Sequence, residues 1–545
     1  MRLRSEALGR AAGTSYDVCV IGGGASGAGC ALDAQLRGLK TLLLDAGDFG
    51  CFTSTASTKL IHGGLRYLEQ AIMELDAGQF PVLWRALRER HLMMRNAPYL
   101  TGTRQFAVPC FSFAGAAYYD IGLKFYDWLS GEASLSPSYF MGRKRSAARM
   151  PWLQPRSLFG TVIYADGQFD DARYNLALVQ SCSALGGEVL NYARVLSFEK
   201  DQQGKLVAAQ VEDRDSGDIF RITAEVFVNA TGPFSDGIRR MANPGIAERL
   251  SVSKGVHILL PLPENFGEEA LLIPRTEDGR VIFAIPWQGR LLVGTTETEA
   301  TLDTEMIVTK AESEYLLRHL NEYLVRPFEP SDIVSSIAGL RPLIRSGKSR
   351  DTKRMIRDYE IEVLPQSGLI NVLGGKWTVY RAMAEDAINA AELSVNGKIR
   401  ECRTRRYPLH GSEDQPGQLL KDLIDSAQIP VATAQHLIQK FGSRARDVFE
   451  LGRRNPQLFN PLVEGAPQIR AEVVYCIREE MAVCVEDVLS RRLGLQSFDT
   501  RLALEAAPGV AKILASELGW STSREQQETR RYRAAGFSES KIVYR

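Results

Sequence analysis

Cysteine and histidine are scarce in this chain, and neither falls into a pattern that would do chemistry together. Eight cysteines (Cys19, Cys30, Cys51, Cys110, Cys182, Cys402, Cys476 and Cys484) are scattered over 545 residues without a CxxC pair. They read as reduced thiols in a cytosolic-type compartment, not as a disulfide framework. Six histidines form no HxxxH or similar spacing, so no metal site is expected. Charge of one sign is missing too. Lys+Arg is 66 and Asp+Glu is 65, a net charge of +1, which gives no global attraction to nucleic acid. Nowhere do the ~18 consecutive apolar residues of a spanning helix occur. The opening MRLRSEALGRAAGT is basic but lacks the apolar run of a secretory signal. The expectation is a protein that does not cross a membrane, with contact at a membrane surface left open.

What is present is ordinary in bulk and specific in detail. Hydrophobic residues make up 45% and charged residues 24%, as in soluble globular proteins, and the length calls for two or three domains. Residues 16–48, YDVCVIGGGASGAGCALDAQLRGLKTLLLDAGD, carry the strongest local signal. Val18 to Ile21 reads as a buried strand. Gly22-x-Gly24-x-x-Gly27 opens a helix through about Arg37, and a second strand from Lys40 to Leu44 ends in Asp45. This is the start of a βαβ unit that binds a dinucleotide. Gly22 makes the tight turn, Gly24 admits a pyrophosphate to the backbone, and Gly27 lets the helix close on the strand. The pyrophosphate would rest on free N–H groups at the helix N-terminus, and Asp45 can accept hydrogen bonds from a ribose.

The fingerprint occurs once, so one bound cofactor is expected to meet a small substrate directly. Two further strand-then-glycine turns lie far downstream. One is VFVNATGP (226–233), with Ala230, Thr231 and Gly232; the other is INVLGGKWTVYRAMAEDAINAA (370–391), where Gly374-Gly375 precedes a long helix. Taken singly each is a plain strand end. Together they suggest one long cofactor held by three distant segments, which suits FAD.

Several motifs in order carry a resemblance. GGGASGAGCALDAQLRGLKTLLLDAGDF, STASTKLIHGGLRYLEQAI, DGQFDDARYNLAL, VNATGPFSD, IPWQGRLLVGTTETE, GLRPLI and LGGKWTVYRAMAEDAI resemble the FAD-dependent glycerol-3-phosphate dehydrogenase family, in wording the mitochondrial type. The likeness runs from about residue 16 to about 400 and continues more loosely through AEVVYCIREEMAVCVEDVLSRR. Phe234 stands where bacterial relatives often have Trp, and Glu297 where an Asp is usual. No D-x-D-x-D-G loop is present, so calcium control is not implied.

The resemblance implies an α/β (α+β overall) fold. It comprises a Rossmann-like FAD-binding domain of glycine-oxidase type, an antiparallel substrate-domain sheet and an all-α C-terminal domain. The expected boundaries are 14–75, 160–240 and 330–395 for the discontinuous FAD domain, 76–159 and 241–329 for the substrate domain, and 396–520 for the helical domain. A charged surface tail is expected over 521–545.

The resemblance also assigns residues. His62 in KLIHGGLRY is the implied base for the C2 hydroxyl of sn-glycerol 3-phosphate, a task suited to a neutral imidazole. Gly63 and Gly64 would let backbone pass close to the flavin, and Arg66 and Tyr67 can reach an anionic substrate. Ser54, Ser57 and Thr58 belong to the same cofactor-contacting segment. Arg341 in GLRPLI and Arg357 in MIRDYEI would clamp the phosphate, since guanidinium groups pair with its oxygens in a planar fork. Lys376, after Gly375, would stabilise negative charge on the reduced flavin, helped by Thr378. His257 in SKGVHILLP reads first as a sheet residue and second as a site residue, with Lys254 beside it.

The implied reaction is oxidation to dihydroxyacetone phosphate, with hydride passing from C2 to flavin N5 and electrons to a quinone. The alternatives are an oxidase that releases hydrogen peroxide and a non-catalytic FAD-binding scaffold. A homodimer stays open. YYDIGLKFYDWLSG (118–131) would place Tyr118, Ile121, Phe125, Trp128 and Leu129 on one helix face, either in a core or on a membrane surface. With quinone as acceptor, the expected location is cytoplasmic and peripheral on the inner membrane.

Overall fold

A computed structural model describes residues 4–64, 79–345, 359–414, 416–425 and 429–540. Two large sheets share the first four hundred residues. The first has eight strands. Ser15–Ile21, the central strand, lies parallel to Thr41–Leu44 on one side and to Ile219–Asn229 on the other. Glu188–Leu190 and Ile370–Gly374 extend the parallel set, and Tyr359–Val363 adds an antiparallel edge. Parallel strands are covered on their faces and so read as continuous apolar runs. Thr41–Leu44 is buried at every position, as that rule requires. Helices Ala25–Leu36, Asp171–Ala184 and Tyr380–Asn396 pack together against this sheet.

The second sheet has ten strands and is mostly antiparallel, with one parallel pair between Ala270–Ile273 and Thr101–Cys110. Its membership corrects the expected partition. Gly160–Phe169 and Ser335–Ile344 fall in segments expected within the cofactor domain, yet both pair inside this second sheet. The short Leu60–Ile61 strand joins it as well, against Gln168 and Gly167. Strand alternation alone does not say which sheet a strand enters, because pairing is set by distant partners.

From Pro416 to Ser540 the described residues are mainly helical, around a core of their own that includes Leu419, Leu437, Phe441, Val488 and Val510. Within the expected charged surface tail, Thr522–Ser540 forms a helix whose described side chains are mostly exposed, with Tyr532 buried against this core. The helical domain is tied to the cofactor sheet by buried ion pairs. Arg173 donates to both oxygens of Glu480 at 2.8 and 2.7 Å, and Lys440 Nζ reaches Asp170 at 2.7 Å. Such pairs fix geometry more than they add stability, because both charges lose their water.

The aromatic segment 118–131 lies in the helix Phe113–Ser130. Leu123 and Tyr126 are its buried side, while Ile121 is 69% and Trp128 72% exposed. That face is divided: Phe125 and Leu129 pack partly buried against Leu83, Leu87 and Tyr126, while Ile121 and Trp128 face outward. None of the helices is long and apolar enough to cross a membrane, among the described residues.

Candidate active site

The carboxyl ends of Ser15–Ile21, Ile219–Asn229 and Ile370–Gly374 lie side by side, where ligands of open α/β sheets bind. Gly22 leaves the first strand at φ +105°, and a Cβ there would stand 2.5 Å from the Ala230 carbonyl oxygen. A Cβ on Gly27 would run into the Gly22 carbonyl. Both glycines are thus demanded by packing alone. A Cβ on Gly24 would meet Ser54 Oγ at 2.8 Å. Helix Ala25–Leu36 starts at Gly24 with no side-chain cap, and Ser54 Oγ accepts from the Ala25 N–H at 2.9 Å. A helix N-terminus with no cap from its own N-cap residue, and a bare glycine backbone in front of it, fits a pyrophosphate.

Asp45 closes the same pocket. Its Oδ2 accepts from Gly23 N–H at 2.6 Å and its Oδ1 from Gly47 N–H at 2.8 Å. Burial lifts its carboxyl to about 6, against the pull of those two N–H groups. At the neighbouring strand end, Thr231 Oγ1 donates to Asn229 Oδ1 at 2.7 Å, and Asn229 Nδ2 donates to Asn371 Oδ1 at 2.8 Å. These bonds link the Ala230-Thr231-Gly232 turn to the strand that leads into Gly374 and Gly375. Gly232 and Gly375 have φ of +56° and +95°.

His62 follows the Leu60–Ile61 strand, and its backbone N–H donates to Thr378 Oγ1 at 3.3 Å. Trp377 Nε1 donates to the Ser54 carbonyl at 2.7 Å. The segments around Ser54, His62 and Lys376–Thr378 are thereby stitched into one wall. Burial holds the His62 imidazole down to about 4, and Lys376 and Arg90 push the same way against Asp166. The expected neutral imidazole therefore owes most to lost hydration, with Lys376 secondary. Arg66, Tyr67 and Arg357 lie outside the described residues.

The second sheet forms the opposite wall. In its register Phe283 pairs with Gly294, Gly294 with His257, and Arg341 with Ser253. Directly paired residues project from the same side of a sheet, as do residues two apart on a strand. His257, Arg341 and Phe283 thus share a face, and the His62 ring lies over Phe283 with centroids 6.5 Å apart. With strands about 4.8 Å apart, Phe283 and His257 are separated by roughly 10 Å, enough for a three-carbon phosphate ester. Arg341 Nη2 donates to Thr295 Oγ1 at 2.7 Å, and it passes over Gly255, where a Cβ would come within 2.6 Å. His257 Nε2 is 3.0 Å from Thr58 Oγ1. Burial, Arg341 and Lys59 together push the His257 ring down to about 3.

Other side chains singled out in the sequence are engaged elsewhere. Lys254 projects to the other face of its strand, where Nζ donates to Glu312 Oε2 at 2.8 Å. Ser57 Oγ donates to Asp171 Oδ2 at 2.7 Å.

A network behind His62 has no counterpart in the sequence reading. Gly63 N–H donates to Tyr126 Oη at 2.9 Å, Tyr126 Oη donates to Asp166 Oδ2 at 2.9 Å, and Arg90 Nη1 donates to Asp166 Oδ1 at 2.7 Å. All three side chains are buried. A Cβ on Gly63 would stand 2.7 Å from both Tyr126 Oη and Leu87, so this network sets the position of the His62–Gly64 backbone. The one available signal was Asp166-Gly167 in DGQFDD; Arg90 and Tyr126 sit in helices without any local motif.

The FAD dependent oxidoreductase family model matches residues 17–384, and the model for the C-terminal domain of alpha-glycerophosphate oxidase matches 402–525. The probable mitochondrial glycerol-3-phosphate dehydrogenase of Caenorhabditis elegans is 39% identical over 96% of this chain and 73% of its own length. The human mitochondrial glycerol-3-phosphate dehydrogenase is 38% identical over 94% of this chain and 72% of its own. Among solved structures, glycerol-3-phosphate dehydrogenase from Bacillus halodurans complexed with FAD superimposes with a TM-score of 0.81. It has 27% identity and covers 99% of this chain and 98% of its own.

Proposed function

The chain belongs to the FAD-dependent glycerol-3-phosphate dehydrogenase family, and on that premise we propose that it oxidises sn-glycerol 3-phosphate to dihydroxyacetone phosphate and passes the electrons to a quinone. FAD is its cofactor; when bound it takes up the hydride from C2. The glycine turns at Gly22–Gly24, Ala230–Gly232 and Gly374–Gly375, with Asp45 and Ser54, are the residues we assign to holding it.

One observation supports the chemistry most. A neutral, half-buried His62 stands across a single sheet face from Arg341 and His257. An imidazole nitrogen of His62 accepts the C2 hydroxyl proton, and Arg341 pairs with the phosphate. Lys376 supplies positive charge beside the base, and Thr378 fixes the backbone that carries it. His257, kept neutral, is placed to hydrogen-bond the substrate between these ends. Anaerobic addition of sn-glycerol 3-phosphate should bleach the flavin absorbance. A flavin that stays oxidised with this substrate overturns the reading. Hydrogen peroxide released at the turnover rate in air would assign the oxidase reaction instead.

The acceptor and the location rest on the surface. Ile121 and Trp128 are exposed on the Phe113–Ser130 helix. Phe113, 74% exposed, meets the Phe159 ring at 6.1 Å, and Phe140 meets it at 5.8 Å. Arg143, Lys144 and Arg145 directly follow the Tyr139–Gly142 strand and are exposed. Exposed aromatics beside consecutive cations suit an anionic membrane surface, where a quinone would be at hand. We therefore place the protein peripherally on a membrane.

A further inference from the structure

Asp48 lies three residues beyond Asp45 and is fully buried, yet its partners come mainly from the helical C-terminal domain. Arg492 Nη1 and Nη2 donate to its Oδ2 and Oδ1 at 2.5 and 2.8 Å, and Arg491 Nε donates to Oδ2 at 2.6 Å. Asn191 Nδ2 adds a bond to Oδ1 at 3.1 Å. Both arginines belong to Asp487–Arg492, a π-helical turn of the kind that recurs at functional sites. Arg491 Nη2 also reaches Asp487 Oδ1 at 2.5 Å, and Tyr192 Oη donates to the same oxygen at 2.7 Å. Burial opposes the Asp48 charge, but the two guanidinium groups outweigh it and hold the carboxyl below the usual carboxylate range.

The backbone transmits this grip to Asp45. Tyr192 N–H donates to the Gly47 carbonyl at 2.8 Å, and Ala193 N–H donates to the Asp45 carbonyl at 2.7 Å. The Gly47 N–H is one of the two groups that hold the Asp45 carboxylate. Moving Asp48 therefore moves the peptide that aims Asp45. Gly47, Asp48, Cys51 and Phe52 border a cleft of about 470 Å³ between the cofactor sheet, the second sheet and the helical domain.

We propose that Arg491 and Arg492 form a latch through which the C-terminal domain sets the protein's hold on the adenosine diphosphate end of FAD, by fixing Asp48 and thereby the aim of Asp45. They are positioning residues, their guanidinium groups engaged by Asp48 and Asp487. The inference rests on the reading of Asp45 as the ribose acceptor.

The test uses the full-length holoenzyme with Arg492→Lys, which keeps the charge and loses the fork. Release of FAD on dilution is followed by the rise in flavin fluorescence. Rebinding to the stripped full-length protein is measured for FAD, ADP and FMN. Release should be about tenfold faster, in the range usual for coupling between two sites. FAD and ADP binding should weaken together while FMN, which lacks the adenosine end, is held as in the wild type. Arg491→Lys, in the less buried arginine, serves if Arg492→Lys does not fold. Wild-type FAD release, or equal losses for FAD and FMN, overturns the latch and leaves a network that only joins two domains. Asp45→Ala is the control: if it releases FAD at the wild-type rate, the ribose assignment falls, and the latch with it. If only Asp45→Ala weakens FAD, the assignment stands and the latch alone is refuted.

Discussion

Thr58 Oγ1 and His257 Nε2 lie 3.0 Å apart, joining the segment that leads into His62 to a strand on the opposite wall of the site. His257 Nδ1 is buried and has no partner among the described residues. Thr58→Val removes the remaining bond and leaves the imidazole unpaired inside the site. An unsatisfied buried group costs about 1–3 kcal/mol. We expect kcat/KM for sn-glycerol 3-phosphate to fall by about one to two orders of magnitude while FAD content holds. Steady-state kinetics on the purified variant measures it, and an unchanged kcat/KM would remove His257 from the substrate site.

His62→Ala should slow anaerobic flavin reduction by about 10²–10⁴-fold, the usual contribution of a positioned base. Rapid mixing isolates this step from reoxidation. Because burial holds the ring down to about 4, the acid limb of the wild-type profile should fall near that pH and not near the ordinary 6.5. A limb at 6.5, or a variant as fast as the wild type, assigns the base elsewhere.

Arg341→Ala should weaken discrimination between glycerol 3-phosphate and glycerol. A charge-assisted hydrogen bond contributes roughly 1.5–3 kcal/mol, so the preference should drop by about 10- to 150-fold. The ratio of kcat/KM values for the two substrates reads this directly. Undiminished preference means that Arg341 does not meet the phosphate.

Stability should fall in mild acid. Burial lowers His62 and His410 to about 4 and His257 to about 3 in the folded protein, each from 6.5. The unfolded chain then binds more protons between those values, so unfolding becomes easier as pH drops. The stabilisation is fully present above 6.5 and is lost progressively from there to about 3–4. Thermal unfolding of the holoenzyme from pH 8 to 4 should show a falling midpoint. His410→Asn, far from the substrate face, should flatten part of that slope.

Membrane contact has its own readout. Ile121→Ser with Trp128→Ser removes two exposed apolar side chains, each contributing up to roughly 1.5–3 kcal/mol when buried in lipid. Cosedimentation with vesicles containing anionic lipid should weaken at least about tenfold, while flavin reduction by substrate in solution stays normal. Equal binding of both proteins would move the contact to another surface.

Local physics carried the first βαβ unit. Gly22, Gly24, Gly27 and Asp45 stand within thirty residues on two adjacent parallel strands and the helix between them, so their spacing in the chain is close to their spacing in space. The ordered motifs around His62, Arg341 and Lys376 pointed to the family in the same way. Tertiary structure alone decided which sheet received Gly160–Phe169, since a strand's partner can be any other strand of matching pattern. It also turned Lys254 away from Arg341 and His257 toward Glu312, through the two-residue period of the pleat. The Tyr126–Asp166–Arg90 support and the grip of Arg491 and Arg492 on Asp48 join residues tens to hundreds of positions apart. No local propensity encodes such pairs. A buried charge finds its partner only when packing has taken away the water that would otherwise serve it.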